Sequence, residues 1–206
     1  MAASLWTQLS PTITNLIRLD HSHVSSALHQ YPIGGSPRIR GGLADNVCLA
    51  LEIHAQLEEE VFYPALRVVM DHEVLRRSAP DHYEMRGAIS RLRALTPSDP
   101  AFDDNFFDLM RLVLHHVADE EAVLLPAAER MMPDQLSELG ARMNRRRIEL
   151  AAPRSRELAG SVARSASAGG LLAAASSVLG GGYLLMRRQP FARSGSRDRG
   201  RVPPPR

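Results

Sequence analysis

Lysine is missing from this chain of 206 residues, whose 25 basic side chains are all arginine. Chemistry that needs a Lys nucleophile or a Lys Schiff base is therefore excluded. Cysteine is reduced to Cys48. It can close no internal disulfide and cannot assemble a thiolate zinc site or an iron–sulfur cluster, so any metal must be held by histidine and carboxylate. No apolar h-region precedes Arg18, the first positive residue, so no secretory signal is visible and a cytoplasmic protein is expected. Nor does any stretch combine β-branched alternation with hairpin turn signals.

What is present is 44% apolar and 23% charged residues, the balance of one globular domain with an appendage, and eight histidines. The net charge of +2 conceals a division: residues 1–141 carry −9 and residues 142–206 carry +11. The acidic part argues against nucleic acid as a partner of the domain, whereas the basic end could meet phosphate, anionic lipid or the acidic part itself.

Apolar residues recur at helical spacing from Ser10 to about Leu28, with Ser10 expected as the cap and Pro11 as the first helical residue. Tyr31 to Gly42, rich in Gly and Pro, reads as a loop. A second helix is expected from Leu43 to Tyr63 and continues past a kink at Pro64. Ser78 and Asp81 suggest the start of a third helix, which ends before Pro97. A fourth follows from Phe106 to Pro126, and a short fifth carries Leu136, Leu139 and Met143. The expected architecture is all-α: an antiparallel up-down four-helix bundle over residues 1–150 with a short fifth helix and a C-terminal tail.

The second and fourth helices repeat each other. HAQLEEEVFYPALRVVM, from His54, and HVADEEAVLLPAAERMM, from His116, share seven of seventeen positions, including the His, two Glu and the Pro. Asp20-His21 on the first helix recurs as Asp81-His82 on the third. At about 100° per residue, Glu58 shares the apolar stripe of its helix with His54, whereas Glu59 and Glu60 turn away; Glu120 pairs with His116 likewise, and His115 faces out. His21 and His82 sit on apolar faces. A carboxylate on a core face needs a partner or a metal, and these stripes offer no arginine. One isolated core histidine is ordinarily a structural residue; the duplicated spacing sets this group apart. Six ligands in pseudo-twofold array, His21, His54, Glu58, His82, His116 and Glu120, suit two metal ions, with iron favoured and manganese second. His23, His29, His72 and His115 are expected at the surface, and Cys48 as an inert thiol.

LDHSHV, EIHAQLEEEVFYPAL, PDHYEM and LHHVADEEAVLLPAAE together resemble the four signature helices of the hemerythrin-like, or HHE cation-binding, family over about residues 10–145. The resemblance implies that His21 and His54 hold one iron, that His82 and His116 hold the other, and that Glu58 and Glu120 bridge. Two positions differ from the oxygen carriers: Ser78 stands where they have a further histidine, and Glu120 follows His116 after three residues where they have Asp after four. Both resemble bacterial members linked to sensing, peroxide chemistry or the handling of nitric oxide and iron. The expected function is reaction of a di-iron centre with oxygen, hydrogen peroxide or nitric oxide, with peroxide decomposition as the candidate activity. The alternative is an iron- or oxygen-sensing regulatory protein whose basic tail contacts a partner.

Residues 151–186 read as an Ala/Gly/Ser-rich linker in which 165–186, uncharged and flanked by arginines, is long enough for a marginal transmembrane segment. Residues 187–206, rich in Arg and Pro, read as a disordered basic tail.

Overall fold

The computed structural model describes residues 11–165, and every regular element among them is helical. The membrane-segment and tail expectations for 166–206 lie outside the described residues. Among the described residues no helix is long and apolar enough to cross a membrane.

Four long helices carry the sequence-expected histidines, α1 (Ile13–His29), α2 (Pro37–Leu57), α4 (Glu73–Arg93) and α5 (Phe102–Asp119), and the two glutamates follow directly on the ends of α2 and α5. The helix α1 begins two residues later than its composition suggests. Thr12, not Ser10, caps it, its hydroxyl accepting from Asn15 N at 3.3 Å. Helix α2 absorbs half of the expected loop, starting at Pro37 behind the Ser36 cap. Its Gly41 explains why glycine is tolerated there: a Cβ would stand 2.5 Å from Pro97 Cγ, so close packing compensates the lost helix propensity. Helix α4 also starts early, at Glu73, with the His72 side chain accepting from Val74 N. Ser78 is therefore no cap; it is buried mid-helix and donates to Val74 O at 2.9 Å. Pro80 lies inside this helix on an exposed side, where water can meet the carbonyl its missing N–H abandons.

The two prolines of the repeat have a sharper effect. After α2 the chain makes one π turn, Glu58–Phe62, and resumes as α3 (Tyr63–Val69); after α5 it makes another, Glu120–Leu124, and resumes as α6 (Leu125–Met131). Pro64 and Pro126 each occupy the first turn of the continuation and can neither donate an N–H nor tolerate the carbonyl four residues back. The wider turn resolves this: Tyr63 N–H reaches Glu58 O and Leu125 N–H reaches Glu120 O.

Two apolar clusters fill the interior. One gathers Ile13, Ile17, Leu57, Phe62, Leu66 and Leu124, and the other Val24, Leu51, Met85, Ile89, Phe106 and Val113. His21 falls between Ile17 and Val24, and His116 between Val113 and Leu124, so a polar layer separates the two clusters.

The fifth helix is not short. α7 (Leu136–Ala151) runs along α1, and α8 (Ser155–Ser165) lies against α2. Residues 151–165, the expected start of a linker, are thus helical, and Ser161 Oγ donates to Asn46 Oδ1 at 2.6 Å while Arg164 pairs with Asp45. Gly140 lets α7 approach the start of α1, because a Cβ there would sit 2.1 Å from Pro11 O. Gly140→Ala should push the two backbones apart and destabilise the protein by about 2 kcal/mol, lowering Tm by roughly 5 °C in a thermal melt.

Candidate metal centre

Each of the six sequence-derived residues is buried in the polar layer: Glu58, Glu120 and His82 are wholly enclosed, and His21, His54 and His116 almost so. Ligand atoms of His21, His54, Glu58 and Glu120 lie within 4.8 Å of one another, and so do those of Glu58, His82 and His116. The imidazoles all turn Nε2 inward. His21 Nε2 is 3.3 Å from Glu120 Oε2, His54 Nε2 is 3.2 Å from Glu58 Oε2, and His82 Nε2 is 3.1 Å from His116 Nε2. His21 Nε2, His54 Nε2, Glu58 Oε1 and Glu120 Oε2 are buried without a hydrogen-bond partner, a costly state that a cation among them would relieve.

Carboxylates meet the outward nitrogens. His21 Nδ1 donates to Glu121 at 2.9 Å, His54 Nδ1 to Asp20 at 3.2 Å and His82 Nδ1 to Glu59 at 3.0 Å, while His116 Nδ1 faces Asp81 at 3.7 Å. A proton on Nδ1 leaves the Nε2 lone pair directed inward, the tautomer a metal ligand needs. The pattern crosses over. Asp20, one residue before the lone His of its helix, bonds the His of the HxxxE pair next in the chain, and Asp81 faces His116 in the same sense without reaching hydrogen-bond distance; each second Glu of the pair bonds the lone His of the other half. Glu59 is therefore not a solvated neighbour, as its helical phase suggests. It is half-buried, with both oxygens held by Arg86 at 2.8 Å. His115, by contrast, is exposed.

Two further side chains escaped sequence reasoning. Arg147 of α7 grips Asp20 through both oxygens, at 2.8 and 2.6 Å, although no arginine shares the stripes of the ligand helices. Tyr63 is wholly buried beside the site, its hydroxyl 2.8 Å from Glu120 Oε1, 3.2 Å from Glu58 Oε2 and 3.3 Å from His82 Nε2. The repeat puts Leu125 at the matching position, so the phenol breaks the symmetry. Its position, one residue before the conserved-offset Pro64, was the available signal, but only the π turn aims it at Glu120.

Burial disfavours charge on His116, yet Glu58, Glu120 and Asp81 outweigh it and hold the imidazole up to about 9. Burial likewise opposes ionisation of Glu58, but His54, His116 and His82 keep it well below the usual carboxylate range. Burial and the two glutamates push the Tyr63 phenol up, so it stays protonated. Cys48 is buried and pushed up to about 12, an inert thiol.

A small cavity of about 20 Å³ adjoins the four imidazoles, walled by Val24, Leu51, Met85, Ile89, Val113 and Val117. It has room for one water or one molecule of similar size.

The family model of the hemerythrin HHE cation-binding domain matches residues 12–128. In a solved structure, the chain resembles a hemerythrin HHE cation-binding domain-containing protein from Mycobacterium kansasii, with a TM-score of 0.55, 21% identity, and coverage of 81% of this chain and 99% of that one. It is also 27% identical over 126 residues to a DNA nickase of Nostoc sp. (strain PCC 7120), covering 61% of this chain. The match spans about a third, 36%, of that relative's length.

Because the folded His116 pKa lies above its unfolded value of about 6.5, its contribution to stability is complete below that pH and is lost as pH rises toward 9. The metal-free protein should accordingly show a falling urea midpoint between about pH 6.5 and 9, and metal uptake at pH 7 should release protons. A midpoint that rises across this range would contradict the assignment. Glu59→Ala, which strips the outer partner from His82, should weaken metal binding about tenfold in a chelator competition, whereas His115→Ala should leave it within twofold.

Proposed function

Since the chain belongs to the hemerythrin HHE cation-binding domain family, we propose that it holds two iron ions and reacts with a small oxidant, decomposing hydrogen peroxide to water and oxygen. The observation that carries this reading is the donor set: four inward Nε2 atoms, three of them with a carboxylate hydrogen-bonded to the outer nitrogen, and two wholly buried glutamates between the histidine pairs. His21 and His54 would hold one ion and His82 and His116 the other, with Glu58 and Glu120 shared. Six imidazole and carboxylate ligands in two groups suit iron, with manganese second.

Bound irons supply the capacity to exchange two electrons with the oxidant. The protein's own groups do the rest. The largely apolar lining of the cavity suits a small neutral molecule at the imidazole face. Tyr63 Oη holds a proton among Glu58, Glu120 and His82, a position from which it can protonate an oxygen leaving the site. Ser78, committed to Val74 O, cannot act as the further imidazole of an oxygen carrier, which favours turnover over reversible binding.

Metal analysis of the purified full chain should give two irons per protein, with near-ultraviolet absorption of carboxylate-bridged iron(III), and an oxygen electrode should register oxygen release from hydrogen peroxide. Glu58→Ala and Glu120→Ala should lose the iron. Tyr63→Phe should keep it and slow peroxide decomposition by roughly 100-fold. A folded protein that takes up no iron, or an iron-loaded one that leaves peroxide untouched, would refute this function.

A further inference from the structure

The two halves of the repeat treat their outer aspartates differently. Asp20 is buried, 3.2 Å from His54 Nδ1, and fixed by two bonds from the buried Arg147 guanidinium at 2.8 and 2.6 Å. Asp81 holds the equivalent place in the other half, yet its side chain is 30% exposed, it stands 3.7 Å from His116 Nδ1, beyond hydrogen-bond reach, and it has no arginine partner among the described residues. The inner atoms are lopsided in the same sense. Four residues converge on the His21 and His54 side, including both glutamates, but three on the His82 and His116 side. Arg147 belongs to α7, which supplies no ligand and lies beyond the matched residues 12–128.

We infer that the two metal positions are unequal and that Arg147 is the positioning residue that makes them so: by clamping Asp20 onto His54, it makes the position of His21, His54, Glu58 and Glu120 the one that fills first and resists chelation, leaving that of His82 and His116 exchangeable. The inference rests on the two-ion reading above. A planar guanidinium bonded to both carboxylate oxygens locks the aspartate in one rotamer. The locked carboxylate then fixes the plane of the imidazole and strengthens its Nε2 as a donor, so less ordering is needed when an ion arrives. His116 has no such support. The tightness of one position is thereby set from a helix outside the four that carry the ligands.

The test is a titration of the full-length, chelator-stripped protein with cobalt(II), followed by the visible bands of the bound ion and by competition with a chelator of known affinity. The wild-type chain should bind two ions in two resolved steps. His54→Ala should abolish the tight step, and His116→Ala should abolish the weak one. Arg147→Met should weaken the tight step by roughly 10- to 100-fold, alter its cobalt spectrum and leave the weak step within about threefold, with helix content by circular dichroism unchanged. Arg147→Lys, which keeps the charge but not the two-pronged grip, should give an intermediate loss, and this variant carries the test if the methionine one does not fold. Asp81→Asn should move the weak step by less than about threefold. Two steps weakened alike by Arg147→Met, or a tight step unaffected by both Arg147 variants, would overturn the inference while leaving the two-ion reading intact. Uptake of fewer than two cobalt ions by the wild-type chain would overturn both.

Discussion

Four imidazoles and two carboxylates cross the middle of a largely apolar core, and the shells of charge around them answer to the cost of keeping them there. Buried ionised groups are tolerated only when each is paired, hydrogen-bonded or bound to a metal. Here compensation is built in shells. Inner Nε2 atoms and glutamate oxygens face each other, Asp20, Glu59 and Glu121 take the outer nitrogens, and Arg147, Arg86 and Arg18 hold those carboxylates in turn. The sign alternates outward, so each charge lies next to its opposite and the outermost arginines, apart from Arg147, reach solvent.

The absence of lysine is consistent with this arrangement. A carboxylate that must orient an imidazole has to be held in one plane, and a guanidinium fork does so where an ammonium would supply only a point charge. Arg147 grips both oxygens of Asp20 with two nitrogens in this way, whereas Arg86 reaches both oxygens of Glu59 from a single nitrogen.

Duplication supplies the symmetric part of the site, and departures from it supply the chemistry. The repeated Glu-to-Pro spacing forces a π turn at each glutamate, which opens both helices at the same level of the bundle. Tyr63 opposite Leu125, and a clamped Asp20 opposite a loose Asp81, then make the two sides different. A perfectly repeated chain would have two equal halves, with a phenol in both or in neither.

Much of this was legible in the residues themselves. Helical periodicity of 3.6 placed Glu58 and Glu120, rather than their acidic neighbours, on the apolar stripe, and the doubled His and HxxxE spacing brought six side chains to one core; both are local properties of a helix, which sequence carries directly. Helix ends were misread where packing overrode composition. Gly41 inside α2 is explained by Pro97, which is distant in sequence, and the early start of α4 depends on His72 acting as a cap. The outer shell was out of reach for a different reason. Asp20 and Arg147 are 127 residues apart, and Glu121 reaches His21 across 100, so their pairing exists only once α7 and the end of α5 have packed against α1. The sequence by itself determined which side chains each helix presents to the core. Tertiary structure alone decided which far nitrogen each carboxylate would hold, and which of two equivalent aspartates an arginine would lock, because those choices depend on contacts between helices that the chain's local periodicity does not encode.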